Sequence, residues 1–212
     1  MSATPMTSTD DTAAASTATP AAGWWRRNAG WLAGTAVLGA LALWLPYRDA
    51  LRQYRLFNPS IAVAADRHDW TAFAGARWKL VAAESVPARD PRLRGPLRKD
   101  AEVVLLRYEV IPDSGTKTAD LDACRGAIVD AQGRRWETGG AALPRLSGPR
   151  LPETCGSGYD DAFKQVLAVP GRPFAFQHAF VLPRGQRLGE LRARIEMKNS
   201  EKVGGRYLEF AL

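Results

Sequence analysis

The chain opens with a polar segment, which is followed by one long apolar run. Residues 1–23 consist almost entirely of Ala, Ser, Thr, Pro and Asp, and such a composition buries too little surface to offset the entropy lost on ordering. Residues 29–45 carry no charge, and a helix of this length reaches about 26 Å, close to the thickness of a hydrocarbon core. The pattern predicts a disordered tail over residues 1–23 and a transmembrane helix over residues 24–46. Aromatic residues bracket the run as an interfacial belt does: Trp24, Trp25, Trp31, Trp44 and Tyr47.

Other interpretations of the apolar run fit less well. A cleaved signal peptide needs a small-residue site directly behind the run, whereas the nearest good one, Ala62-Val63-Ala64, lies far downstream. Arg26 and Arg27 suggest a twin-arginine export signal, but the residues after the pair do not follow that pattern. A buried soluble helix is rarely apolar on all sides. We therefore expect an uncleaved anchor.

The orientation of the anchor is less clearly encoded. Arg26 and Arg27 precede the run, while Arg48, Arg52 and Arg55 follow it, so the positive-inside rule is ambiguous here. The first pair adjoins the apolar run, and a cysteine pair downstream suits an oxidising compartment. We therefore expect a single-pass cell-membrane protein with a cytoplasmic N-terminus and an extracytoplasmic C-terminal domain.

Residues 47–65 are interpreted as a juxtamembrane helix and linker. A short helix is predicted over residues 47–57, because Pro46 is well tolerated in a first helical turn. Arg48, Arg52 and Arg55 then share one helical face. These arginines either extend the anchor and reach back toward the lipid headgroups, or they form a collar that contacts anionic headgroups or another membrane protein.

Residues 66–212 show the alternation that is typical of β-strands. Apolar and charged side chains alternate along residues 190–198 and again along residues 104–110. Residues 124–129 and 134–138 flank a turn with Gly133 late in it, which predicts a hairpin. About seven short strands separated by turns rich in Pro and Gly predict an all-β domain, an immunoglobulin-like β-sandwich. Residues 89–99 and 139–158 are the two long loops.

The formal charge of +7 lies entirely in residues 47–212, because the charges before residue 29 cancel. A basic domain favours anionic partners such as lipid headgroups or wall polymers, although an arginine-rich proteome also produces basic surfaces without any partner. The loop over residues 89–99 concentrates this charge, but it has no aromatic residue, and we therefore expect no nucleic acid partner. The loop is either solvated or contacts an anionic polymer or lipid. The candidate residues in this loop are Arg92, Arg94, Arg98 and Lys99.

Cys124 and Cys155 are the two cysteines of the chain. An isolated pair with no leftover thiol predicts one disulfide in an oxidising compartment. Neither cysteine belongs to a CxxC motif or neighbours a histidine in the sequence, so we expect no metal site and no redox motif.

The remaining candidates for chemistry have simpler structural interpretations. His178 shares a strand face with phenylalanines over residues 174–182, which places it in the core, and His68 is isolated. The carboxylates of Asp160 and Asp161 lack the oxygen spacing of a calcium loop and are interpreted as a solvated turn. A nucleophile with a positioned base is also not apparent. We therefore expect no enzyme, no catalytic residue and no cofactor.

Several short motifs resemble a group of small membrane proteins of unknown function that is frequent in high-GC Gram-positive bacteria. They are the Trp-Arg-Arg before the anchor, the Cys124 strand that runs into the turn at residues 130–134, the second cysteine after a long loop, and Phe-Val-Leu-Pro at residues 180–183. The resemblance implies an extracytoplasmic sandwich and supplies no activity. The basic loop at residues 89–99 departs from the pattern of that group.

These observations favour a membrane-tethered extracytoplasmic interaction module that is accessory to an envelope complex and has an envelope protein as its partner. An envelope-associated hydrolase and a binder of anionic wall polymer or lipid are the alternatives. Fold alone does not decide between them, because function resides in sites.

Overall fold

A computed structural model describes residues 21–138, 145–147, 151–160, 162–197 and 203–212. The predicted disordered tail falls almost wholly outside these residues. The helices and strands in chain order are α1 Ala21–Phe57, β1 Ile61–Ala65, β2 Thr71–Phe73, β3 Ala76–Pro87, β4 Leu93–Arg94, β5 Ala101–Pro112, α2 Thr118–Asp122, β6 Cys124–Asp130, β7 Arg135–Glu137, β8 Arg145–Leu146, β9 Ser157–Tyr159, β10 Gln165–Leu167, β11 Phe174–Pro183, a 3₁₀ turn Leu188–Glu190, β12 Leu191–Met197 and β13 Arg206–Ala211.

The apolar run lies in one long helix. Helix α1 contains 37 residues and continues through Pro46, so the predicted anchor and the predicted short helix after it are one element about 55 Å long. Proline removes one backbone N–H from the helical ladder but does not end this helix. The segment Gly23–Arg55 is long and apolar enough to cross a membrane, and it is not buried within the protein.

The last turns of α1 and the strands form one compact unit, Ala50–Leu212. Of the two larger sheets, one has the order β1-β13-β12-β6-β7 and the other the order β11-β5-β3-β2. Two smaller sheets pair β10 with β9 and β4 with β8. All neighbours pair antiparallel except β1, which runs parallel to β13. The predicted fold class, an all-β sandwich of the immunoglobulin-like kind after an apolar helix, is confirmed.

Strand β1 adds to the predicted outline of the domain. It lies in residues 47–65, the predicted juxtamembrane helix and linker, and it pairs with β13 in the register Ala62↔Tyr207. Val63 and Ala65 pack against the core while Ala62 and Ala64 are exposed. The sheet therefore begins at Ile61, and three residues separate it from the end of α1.

Aromatic side chains from both sheets fill the core between them. The rings of Tyr108 and Phe176 stack with their centroids 5.1 Å apart, and Trp78 meets Phe176 edge-on. The indole N–H of Trp78 donates a hydrogen bond of 2.8 Å to the carbonyl of Phe73, which satisfies its one buried donor. The predicted inward sets on β5 and β12 are buried, so alternation identifies the core faces of these strands.

The predicted hairpin of β6 and β7 is present. Its turn closes through the N–H of Asp130, which donates to the carbonyl of Arg134 at 3.1 Å. The carboxylate of Asp130 accepts the N–H groups of Gln132 and Arg134 at 3.0 and 2.8 Å. Gly133 has a φ of 79°, in the left-handed region that glycine adopts without steric penalty. We refer to this arrangement as the Asp130 turn.

Candidate functional site

The basic loop at residues 89–99 is held to the domain by apolar side chains. Leu93 and Leu97 pack on a small second core. That core is formed by Val86, Val103 and Leu105 on the side of the sheet that faces away from the main core. Because the two leucines point inward, the loop has a defined position, which its many charges do not suggest.

Arg92 is already paired within the domain. Its guanidinium donates to both carboxylate oxygens of Asp90, at 3.0 and 2.9 Å, and to Glu84 at 2.6 Å. The hydrogen bonds from Arg92 hold the pKa of Asp90 below its usual value. With two carboxylates around one guanidinium, Arg92 adds no positive charge that a distant anion would sense.

Arg98 is paired in a similar way, with hydrogen bonds of 3.0 and 2.7 Å to the carboxylate of Asp100. Both side chains are largely exposed, and such surface pairs contribute little to stability. Arg94 and Lys99 are also exposed, and no ion pair within 4 Å joins either of them to another described residue. The predicted anionic contact on the loop is therefore reduced to Arg94 and Lys99, and it stays a prediction.

The other three candidate cations lie on helix α1. Arg48, Arg52 and Arg55 are all exposed, and their spacing of four and three residues places them on one helical face. Their predicted role in contacting headgroups or a membrane protein stays a prediction.

The predicted disulfide between Cys124 and Cys155 is confirmed. The bond joins two buried residues that are 31 positions apart in the chain, with their Cα atoms 6.2 Å from each other. Cys124 begins β6, whereas Cys155 lies two residues before β9. The cross-link thus ties the five-stranded sheet to the loop that leads into β9.

His178 is a core residue, as predicted. It is buried on the inward face of β11, and its ring meets Tyr108, Phe176 and Phe180 at centroid distances between 5.2 and 6.2 Å. A Cβ atom at Gly126 would come within 2.3 Å of its Nδ1 atom. The glycine on β6 therefore provides the space that the imidazole occupies.

Sequence reasoning missed that His178 lies beside the disulfide. Ligand atoms of Cys124, Cys155 and His178 lie within 4.8 Å of one another, because β6 and β11 belong to facing sheets and bring residues distant in sequence together. Thiolates, not disulfide sulfurs, are good metal ligands. With the two cysteines joined in a disulfide, the cluster is therefore structural. The disulfide cross-links the domain, and the neutral imidazole of His178 packs beside it.

The protonation of His178 is expected to make the free energy of unfolding depend on pH. Burial lowers its pKa from 6.5 to about 4; a hydrogen bond with the backbone of Glu153 opposes the shift and the charge of Arg125 adds to it. The unfolded chain takes up this proton near pH 6.5 and the folded domain only near pH 4, so stability is lost as the pH falls through this window. We expect a loss of about 2 kcal/mol between pH 7 and pH 5 from this residue.

Urea unfolding of the wild type and of His178→Gln at both pH values measures that loss. Carboxylates contribute equally to both proteins, so the difference between the two pH dependences isolates the imidazole. An identical pH dependence in the variant would refute the assignment.

The remaining candidates are explained locally. His68 is exposed, and its backbone N–H donates to the carboxylate of Asp66. The carboxylate of Asp160 accepts two backbone N–H groups of its own turn, whereas Asp161 lies outside the described residues. The expectations of no catalytic residue, no metal site and no cofactor stay predictions.

Comparison with known proteins adds little beyond architecture. No protein-family model matches the chain, and no curated protein matches it. An uncharacterised β-sandwich protein from Clostridium difficile is similar, with 6% identity, a TM-score of 0.41, and coverage of 72% of this chain and 97% of that one. A secreted protein of Mycobacterium tuberculosis has 13% identity, a TM-score of 0.40, and coverage of 72% and 99%. A Bacillus subtilis protein has 9% identity, a TM-score of 0.40, and coverage of 67% and 96%. None of these likenesses identifies a ligand or a reaction.

Proposed function

We propose that this chain is a membrane-tethered, extracytoplasmic interaction module whose sandwich binds another protein of the cell envelope. The observation that carries the proposal is the direct succession of an apolar helix, a three-residue connection and a disulfide-bonded β-sandwich. Disulfides persist on the oxidising side of a membrane, and α1 has the length and composition of a spanning helix. The helix is thus the single-pass anchor, with its N-terminus in the cytoplasm.

Tethering also supports a binding role over a catalytic one. The sandwich follows the anchor in the same chain, so it stays tethered to the membrane that carries its partner. Confinement of this kind raises the effective concentration of a partner in the same membrane, and weak contacts then suffice. Arg94 and Lys99 are available for a supplementary contact with an anionic lipid or wall polymer.

A first experiment tests the compartment. Alkaline phosphatase fused after Leu212 is expected to be active, because it folds only where its own disulfides form. A fluorescent cytoplasmic reporter at the same position serves as the matched fusion. An inactive phosphatase together with a fluorescent reporter would place the domain in the cytoplasm and overturn the proposal.

A second experiment tests the binding role by cross-linking in the native membrane, followed by mass spectrometry. We expect one reproducible envelope protein. A triple alanine variant of Arg94, Arg98 and Lys99 is compared with a triple alanine variant of Arg77, Arg107 and Arg187, which removes the same formal charge from exposed sites elsewhere. Loss of the product only in the first variant assigns the contact to the basic loop. No reproducible partner, together with turnover of a wall-derived or ester substrate by the purified domain, would favour a hydrolase instead.

A further inference from the structure

Two hairpin turns in the described part of the chain have the same hydrogen bonds. In the second, between β9 and β10, the N–H of Asp160 donates to the carbonyl of Lys164 and the N–H of Phe163 donates to the carbonyl of Asp160, both at 3.0 Å. The carboxylate of Asp160 accepts the N–H groups of Ala162 and Lys164, each at 2.9 Å. Each of these bonds has its counterpart in the Asp130 turn.

The two turns differ at their left-handed position. Glycine occupies it in the Asp130 turn, whereas Phe163 occupies it here with a φ of 57°. An L side chain with a Cβ atom is strained in this region, and bulky residues rarely adopt it. The ring of Phe163 is 75% exposed, so burial within the domain does not compensate for that strain. Residues in sparsely populated conformations concentrate at functional sites, which suggests that the turn presents this ring to a ligand.

An apolar face adjoins the ring. Along residues 165–169 burial alternates, so that Leu167 and Val169 point outward while Val166 and Ala168 point to the core. Tyr159 is exposed on the paired strand, opposite Gln165. The outward apolar side chains are 49–59% exposed. A fully buried tyrosine or phenylalanine contributes about 200 Å² of contact surface, and the largest exposed apolar patch of a monomer, typically about 300–600 Å², is often functional.

The hairpin is also fixed on its inner side. A Cβ atom at Gly158 would come within 2.5 Å of Pro152, which shows how closely the two backbones pack. The N–H of Ala168 donates to the carbonyl of Gly156 at 2.7 Å, and Cys155 joins the base of the hairpin to β6. A surface that is ordered before binding loses little conformational entropy when it binds.

The charges of the hairpin indicate which kind of partner fits. Asp160 and Asp161 precede the exposed ring in the sequence and Lys164 follows it, so the turn carries a net charge of −1. Carboxylates are repelled by an anionic lipid surface and are costly to insert into hydrocarbon. Symmetric pairing with a second copy would bring the two acidic turns together, and like charges at close range oppose it. A protein pocket with an apolar floor and a cationic rim complements both the rings and the carboxylates.

We propose that the hairpin of β9 and β10 docks Phe163 and Tyr159 into an apolar, cation-rimmed pocket on an extracytoplasmic protein. This inference rests on the proposed interaction function and assigns the surface that performs it. Rigid aromatic anchors surrounded by aliphatic contacts are typical of interface hot spots. At the left-handed position, this turn has Phe163 where the Asp130 turn has Gly133. The phenylalanine is explained by its contact with the partner and not by a contribution to folding.

The test uses the full-length chain in its own membrane, with a benzophenone amino acid at Leu167 or, as the matched site on the other hairpin, at Gln132. We expect the probe at Leu167 to cross-link one protein at a mappable apolar site, and the probe at Gln132 not to do so. The purified full-length chain in detergent is then titrated with the purified partner. Phe163→Gly is expected to raise the Kd about 30-fold, as loss of a hot spot does.

The same substitution separates binding from folding. Glycine relieves the left-handed strain, so the melting temperature of Phe163→Gly should be unchanged or higher. An unchanged Kd, or a probe at Leu167 that reaches only phospholipid or a second copy, overturns the inference. A third benzophenone probe is placed at Arg94 in the basic loop. If this probe captures a partner and the probe at Leu167 does not, the hairpin assignment fails while the interaction module stands. If no position captures a partner, both fail.

Discussion

Replacing Cys124 and Cys155 together by alanine is expected to lower the free energy of unfolding by about 4 kcal/mol. The disulfide closes a loop with a sequence separation of 31, and the chain-entropy model assigns about 3.7 kcal/mol to a loop of that length. Both cysteines are buried in the core, so loss of their sulfur contacts adds to the entropic effect. Urea unfolding of the oxidised wild type and the double variant at pH 7 measures the difference.

Reduction provides the matched control. A dithiol reductant should lower the stability of the wild type toward that of the double variant and leave the double variant unchanged. A loss below about 1 kcal/mol in the variant would show that the cross-link does not restrict the unfolded chain as the model requires. Two thiols that can be alkylated in the native, unreduced protein would contradict the disulfide itself.

Local patterns predicted those parts of the fold that depend on nearby residues. Strand β12 alternates apolar and charged side chains with the period of a strand, and its buried face is the predicted one. The Asp130 turn follows from an aspartate and a glycine at the positions that its hydrogen bonds require. His178 could be placed in the core because phenylalanines share its face of β11. In each case, the signal lies within about ten residues.

Parts of the fold that depend on distant partners could not be predicted in this way. Strand β1 contains three alanines among its five residues, and its place in the sheet is decided by β13 at the other end of the chain. Strands β9 and β10 have three residues each, too few for alternation to be recognised. The sequence predicts only a solvated turn between them, because Phe163 stands where turn preferences call for glycine.

Prediction of the candidate site from the sequence was limited for the same reason, because its contacts join residues that local patterns do not connect. Asp90 and Asp100 lie two residues from Arg92 and Arg98, and Glu84 lies eight residues before Arg92, but the sequence does not show that these carboxylates pair with the arginines. Counting charges therefore overstates the positive surface of this loop. Similarly, the sequence separates His178 from both cysteines, and only the facing of the two sheets brings them within 4.8 Å.

Replacing Arg135 by methionine is expected to lower the free energy of unfolding by about 3 kcal/mol. Arg135 on β7 donates two hydrogen bonds, of 2.5 and 2.9 Å, to the carboxylate of Glu196 on β12. The carboxylate is 2% exposed, while Arg135 is 34% exposed. Removing one member of a buried pair leaves the other charge without compensation, which costs about 3–5 kcal/mol. The partial exposure of Arg135 places the expected loss at the lower end of that range.

Two further variants separate the buried charge from the loss of a side chain. In Arg135→Met combined with Glu196→Gln, no unpaired charge remains, so most of the lost stability should return. Arg135 also pairs with Glu137, whose side chain is 57% exposed, and Glu137→Gln should therefore change stability by less than about 0.5 kcal/mol. Urea unfolding of the four proteins at pH 7 completes the comparison. If the double variant were as unstable as Arg135→Met alone, the loss would come from the packing of the arginine side chain and not from the carboxylate that it neutralises.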